Sequence, residues 1–140
     1  MINELKCDFK ANIKNVSLSR GIAQMFFSQI ESELNYLNEI KTIVSEGVTN
    51  AIIHGYKDDS SKDVILNLSY DDSFIYIEII DYGVGIKDIE LAKTPMFTTK
   101  PEDDRSGLGF TLMDVFSDEL EVISKENQGT TLKIVKKINE

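Results

Sequence analysis

The stretch EIKTIVSEGVTNAIIHGY, residues Glu39 to Tyr56, decides how the rest of this chain is read. Ile40, Ile43, Val44, Gly47, Val48 and Ala51 recur at three- and four-residue spacing, which lays one apolar stripe along a helix. Asn38 stands where an N-cap belongs, Glu39 falls in the first turn, and Gly55 supplies a C-terminal stop. Beside the stripe, Glu46 and Asn50 are four residues apart and so share a face. A carboxylate and a carboxamide in that relation can hold a hydroxyl or water for proton abstraction next to a bound cation. The same pair also occurs as solvated surface on amphipathic helices, so this helix alone does not decide between the two.

On the N-terminal side, ELKCDFK (4–10) alternates, with Leu5, Cys7 and Phe9 on one face of a first strand. Residues 15–31 carry Val16, Ile22, Ala23, Met25, Phe26 and Ile30 and predict a first helix, with Arg20 on its polar side and Phe26 and Phe27 as core or dimer contacts. On the C-terminal side, GYKDDSSKD (55–63) is a loop by composition. VILNLSY (64–70) and FIYIEIID (74–81) predict a β-hairpin. Residues 82–106 are irregular, with one short helical turn near 89–93, and a loop of that length in a domain is functional or mobile. A third helix over 107–117 and two strands, 119–125 and 130–138, complete the chain. The order β-α-α-β-β-loop-α-β-β predicts a single domain over residues 1–140. Its expected class is α/β (α+β), a two-layer sandwich of a mixed, mostly antiparallel sheet with helices on one face.

Composition narrows the function classes. With 140 residues, 41% hydrophobic and 28% charged, the chain has the makings of an ordinary globular core. A net charge of −9 argues against direct nucleic-acid binding, which needs clustered Lys and Arg, and leaves room for a basic partner. The single Cys7 has no internal disulfide partner and reads as a small buried hydrophobe on its strand. No run approaches membrane-spanning length and the first residues are polar, so the expected location is the cytoplasm, with no membrane partner.

Three further clusters sit at element ends. Asp81-Tyr82-Gly83-Val84-Gly85 closes an apolar strand, where an aspartate can accept from an exocyclic amine and glycines let backbone approach a flat ring. Arg105-Ser106-Gly107-Leu108-Gly109 opens a helix, where free amides and the dipole attract an anion, with Lys100 and Arg105 adding charge. Gly129-Thr130-Thr131 enters the last strand, where a hydroxyl can support the aspartate site.

Taken in order, SEGVTNAIIHGY (45–56), DYGVGI (81–86), MFTTKPEDDRSGLGF (96–110) and GTT (129–131) resemble the GHKL ATPases, whose architecture is the Bergerat ATP-binding fold. Within them the chain is similar to the family of sporulation anti-sigma serine kinases, over nearly its whole length. The resemblance implies that Glu46 is the general base and that Asn50 ligates Mg2+ bound to ATP. It implies that Asp81 binds the adenine amine, with Gly83 and Gly85 beneath the base and Thr130 in support. It also assigns Thr98, Thr99 and Lys100 to an ATP lid, Arg105 to the terminal phosphates, and Gly107 and Gly109 to their cradle. As partners it implies sigma factor F, contacted through Arg20 and held by a homodimer, and an anti-anti-sigma factor phosphorylated on serine. His54 receives no role from it. Two alternatives stay open, a nucleotide-gated sigma-binding module without phosphotransfer and the related stress-response anti-sigma kinase. A detached histidine-kinase domain is disfavoured, because the one histidine lies inside the proposed nucleotide helix.

Overall fold

The structure, a computed structural model, describes residues 2–93 and 109–138. Alternation of apolar and polar residues produces five strands, β1 (Asn3–Lys10), β2 (Asp63–Tyr70), β3 (Phe74–Asp81), β4 (Glu119–Lys125) and β5 (Gly129–Lys137). They form one sheet in the order β1-β2-β3-β5-β4, antiparallel at every pairing. The parallel pairing that a mixed sheet allows is therefore absent among the described strands. Both hairpins pair their strands directly, and the long connection from β3 brings β5 back beside it in the opposite sense.

Among the described residues four α-helices accompany the sheet: α1 (Asn15–Phe27), α2 (Leu34–Asn50), α3 (Ile89–Ala92) and α4 (Gly109–Phe116). Val64, Leu66, Leu68, Ile75, Ile77, Ile79, Leu132 and Ile134 point to the helix-covered face and are buried there with Ile40, Ile43, Val44 and Val48 of α2. The other face carries a cross-strand row of Lys6, Asn67, Glu78, Lys133 and Glu121, the polar-out half of a one-sided antiparallel sheet. The two-layer arrangement expected from the pattern is the one observed.

Two helix boundaries differ from expectation. The second helix starts at Leu34, because extended Glu33 precedes it and buried Tyr36 carries the apolar stripe a turn further back than Ile40. Asn38 is consequently inside the helix, its carbonyl accepting from Thr42 Oγ1 at 3.1 Å, and caps nothing. The first helix stops at Phe27, four residues short of the expected end, and Met25, assigned to its apolar set, is 75% exposed. Phe26 and Phe27 are core residues, edge to face with centroids 5.1 Å apart. Cys7 is half-buried and its thiol pKa is raised, chiefly by burial. The short helical turn is present as α3, capped by Asp88 Oδ1 accepting from the Leu91 amide at 3.0 Å.

One buried charge ties the layers together. Lys136 faces the helices with only 8% of its surface exposed. Its ammonium donates to Glu39 Oε1 at 2.8 Å and to the Phe116 carbonyl, the last of α4, at 2.6 Å, and lies 5.0 Å from the Tyr36 ring centroid. The beginning of α2, the end of α4 and β5 thus meet at one cation, placed where a helix C-terminus favours it. We expect Lys136→Met, which keeps the aliphatic stem, to lower stability by about 2 kcal/mol, since the partly solvated Glu39 carboxylate and the Phe116 carbonyl both lose their charged donor. A urea titration measures this directly, and an unchanged midpoint would show the contact to be energetically idle.

Candidate nucleotide site

Glu46 and Asn50 lie one turn apart on α2, both half-buried, and line one wall of a cavity of about 1100 Å³. The Asn50 carboxamide meets no hydrogen-bond partner among the described residues and is free to ligate. Across from Glu46 stands Gly109, the first residue of α4; a Cβ there would come within 3.0 Å of Glu46 Oε2. The start of α4 is thus pressed against the carboxylate, and a side chain at 109 would have to push it aside.

After Asn50 the helix widens into a π-helical segment, Ala51–Gly55, with Tyr56 N–H bonding the Ala51 carbonyl at 2.9 Å. Such single π turns are concentrated at functional sites. Here the segment keeps His54 on the cavity wall beside Asn50 and lays Gly55 flat against the end of β3. Sequence reasoning gives His54 no role, and its four-residue offset from Asn50 is the signal that places it here.

Asp81, the last residue of β3, is 5% exposed and packs on Gly55, where a Cβ would meet its carboxylate at 2.7 Å. It lies beside the cavity and does not itself line it. Burial pushes its pKa up to about 6, against the lowering effect of the Gly83 and Thr130 amides; the Gly83 N–H reaches Oδ1 at 2.9 Å. Gly83 and Gly85 acquire a reason that the motif alone did not supply. A Cβ on Gly83 would overlap the Gly55 carbonyl, which also accepts from the Val84 amide at 2.9 Å. Gly85 has φ +73° and its Cα faces the Lys125 carbonyl, so the turn that forms the cavity wall needs the residue with no side chain.

Thr130 is buried, with Oγ1 2.8 Å from Ser124 Oγ on β4. Ser124 in turn accepts from the Ile86 amide at 2.7 Å and lies 3.0 Å from the Gly129 carbonyl. The β4–β5 hairpin therefore holds the 82–86 turn from behind through one hydroxyl that the sequence does not single out. Ser124→Ala strands the Ile86 amide, a cost of about 1–2 kcal/mol. We expect a several-fold rise in the Kd for ATP by calorimetry with little change in the far-UV spectrum.

Thr98, Thr99, Lys100, Arg105 and Gly107 lie outside the described residues. Arg20 is not at the cavity: its guanidinium donates to Ser45 Oγ at 3.0 Å and Ser17 Oγ at 2.9 Å, bridging α1 to the turn of α2 that carries Glu46. Among the described residues no three His, Cys, Asp or Glu side chains form a metal cage. A cation here would rest on a single protein oxygen such as that of Asn50, which suits Mg2+ with its preference for water and phosphate ligands.

With this geometry in view, likeness to known proteins assigns the class. Residues 9–136 match the family described as histidine kinase-like ATPase domain. Over nearly the full chain it is similar to proteins named anti-sigma F factor. One, from Geobacillus kaustophilus, is 46% identical over 99% of this chain and 94% of the relative. Others come from Clostridium perfringens (45% identical, 99% of each chain) and Bacillus subtilis (42%, 100% and 96%). In fold it matches the crystal structure of the RsbU and RsbW domains of Rv1364c from Mycobacterium tuberculosis, with a TM-score of 0.69 at 17% identity, over 97% of this chain and 32% of that one. The chain belongs to the histidine kinase-like ATPase domain family and, within it, to the anti-sigma F factors. No described helix is long and apolar enough to cross a membrane.

Proposed function

We propose that this chain binds Mg-ATP in the cavity beside α2, holds sigma factor F as a homodimer, and phosphorylates a serine of an anti-anti-sigma factor in the cytoplasm. The observation that carries the proposal is the placing of Glu46 and Asn50 on one cavity wall, one turn apart, with α4 starting against the carboxylate. Membership of the anti-sigma F factors supports the sigma partner, and it is family likeness that extends to the serine substrate and the homodimer.

Bound Mg-ATP would supply a transferable phosphoryl group with its charge partly neutralised. The chain's own groups have distinct tasks. Asn50 offers a neutral oxygen to the cation. Glu46 accepts the proton from the attacking serine hydroxyl, where one well-placed base is worth about 10²–10⁴ in rate. Asp81 accepts from the adenine amine, with Thr130 fixing its backbone, while Gly83 and Gly85 shape the adjoining wall. Thr98, Thr99, Lys100, Arg105 and Gly107 complete the phosphate side, together with Gly109. Arg20 serves the sigma surface, and its bond to Ser45 links that surface to the residue before Glu46.

The test uses purified chain, Mg2+ and γ-labelled ATP with a purified anti-anti-sigma factor, and separately with sigma factor F. Label on a serine of the former and ATP-dependent capture of the latter are expected. Capture without any label would leave a nucleotide-gated sigma binder, and ATP binding without capture would remove the sigma role.

A further inference from the structure

The π-helical segment brings Tyr56 to a place that the nucleotide reading leaves unused. Strand β3 ends at Asp81, so the next amide, that of Tyr82, has left the ladder and still needs an acceptor. The Tyr56 hydroxyl provides it at 2.8 Å, and spends its own proton on the Asp63 carbonyl at 2.7 Å, at the start of β2. Tyr56 is 7% exposed, so water does not compete for either bond. One residue earlier, the Gly55 carbonyl takes the Val84 amide at 2.9 Å. Residues 55 and 56 therefore grip the chain on both sides of Gly83, and Gly83 is the residue whose amide holds the Asp81 carboxylate.

We propose that Tyr56 is a positioning residue for nucleobase recognition: its hydroxyl fixes the peptide that follows Asp81, and so the aim of the Asp81 carboxylate at an exocyclic amine. The inference rests on the nucleotide reading above and deepens it. A helix continuing without the π turn would carry residue 56 about 100° around the axis, away from Tyr82, so the wider turn and the tyrosine act together. Tyr56 does not line the cavity wall that carries Glu46 and Asn50, which separates its effect from chemistry.

Tyr56→Phe keeps the ring and removes both bonds. The probes are ATP and inosine triphosphate, which carries a carbonyl oxygen where adenine carries its amine. In the wild type ATP binds more tightly. In the variant the affinity for ATP falls about tenfold, the scale of one lost hydrogen bond. Affinity for inosine triphosphate stays unchanged, so the ratio contracts while phosphotransfer at saturating ATP keeps its rate. Equal weakening of both nucleotides, or none, would overturn the inference and reduce Tyr56 to a fold contact. If the variant is too unstable to assay, the same pair of titrations is run in sucrose, which favours the folded state. A wild type with no preference for ATP would instead overturn the role of Asp81, and the role of Tyr56 with it.

Discussion

Glu46→Gln is expected to bind ATP as the wild type does and to lose serine phosphorylation by about 10²-fold or more, the scale of a missing general base. The substitution keeps the shape of the side chain, so Gly109, whose Cα leaves just the room that Oε2 needs, stays seated. What it removes is the ability to accept a proton. Asn50, one turn on, is untouched, so nucleotide and cation binding report that the site is intact. The measurement pairs equilibrium binding of labelled ATP with the single-turnover rate of phosphoserine formation. Sigma capture is followed alongside, because retention of capture with loss of transfer assigns the two activities to separable groups. Transfer at the wild-type rate would remove Glu46 from the mechanism.

The site is legible where its residues act through local spacing and obscure where they act through contacts between distant segments. The stripe of α2 and the alternation of β2 and β3 are periodic signals, and they locate Glu46, Asn50 and Asp81 correctly on their elements. The start of α2 escapes them because Leu34 is exposed and only buried Tyr36 and half-buried Leu37 extend the stripe before Ile40, which a window centred on Ile40 does not capture. Lys136 reads as one more charge in TTLKIVKKI; only the pairing of β5 beside β3 turns it inward to Glu39 and the end of α4. Ser124 and Tyr56 are of the same kind. Each looks like an ordinary residue of its own element, and each acquires a task from an amide that another segment leaves unpaired, that of Ile86 or of Tyr82. The π segment has no compositional signature in AIIHG, and the helix expected to run to Gly55 is in its last turn a different helix. The glycines of DYGVGI are readable as necessary, but their necessity comes from the Gly55 and Lys125 carbonyls that crowd them.

Asp81→Asn is expected to abolish useful ATP affinity and, above pH 6, to make the empty protein more stable. The carboxylate is buried beside Gly55 and its folded-state pKa is raised from 3.8 to about 6. The native state therefore holds this proton more tightly than the unfolded chain does. The stability that the protonated group contributes is fully present below pH ~4 and is lost as pH rises through about 6. A folded pKa about two pH units above the unfolded one withholds about 3 kcal/mol from the ionised native state. Asparagine carries no such penalty, and like the protonated carboxyl it keeps one carbonyl oxygen to accept from the Gly83 and Thr130 amides. The variant should thus be more stable than the wild type by about 2–3 kcal/mol at pH 7.5 and close to it at pH 4. Denaturant midpoints at the two pH values check that the difference appears only at the higher pH. At pH 7.5 the amide NH₂ presents a donor to adenine's own donor, so binding fails although the fold has gained. A variant that binds ATP normally would sink the assignment of Asp81, and a stability difference independent of pH would show that its carboxylate is not held in a raised-pKa environment. If both expectations hold, the chain carries a buried charge whose cost to the empty fold is the condition for recognising its nucleotide.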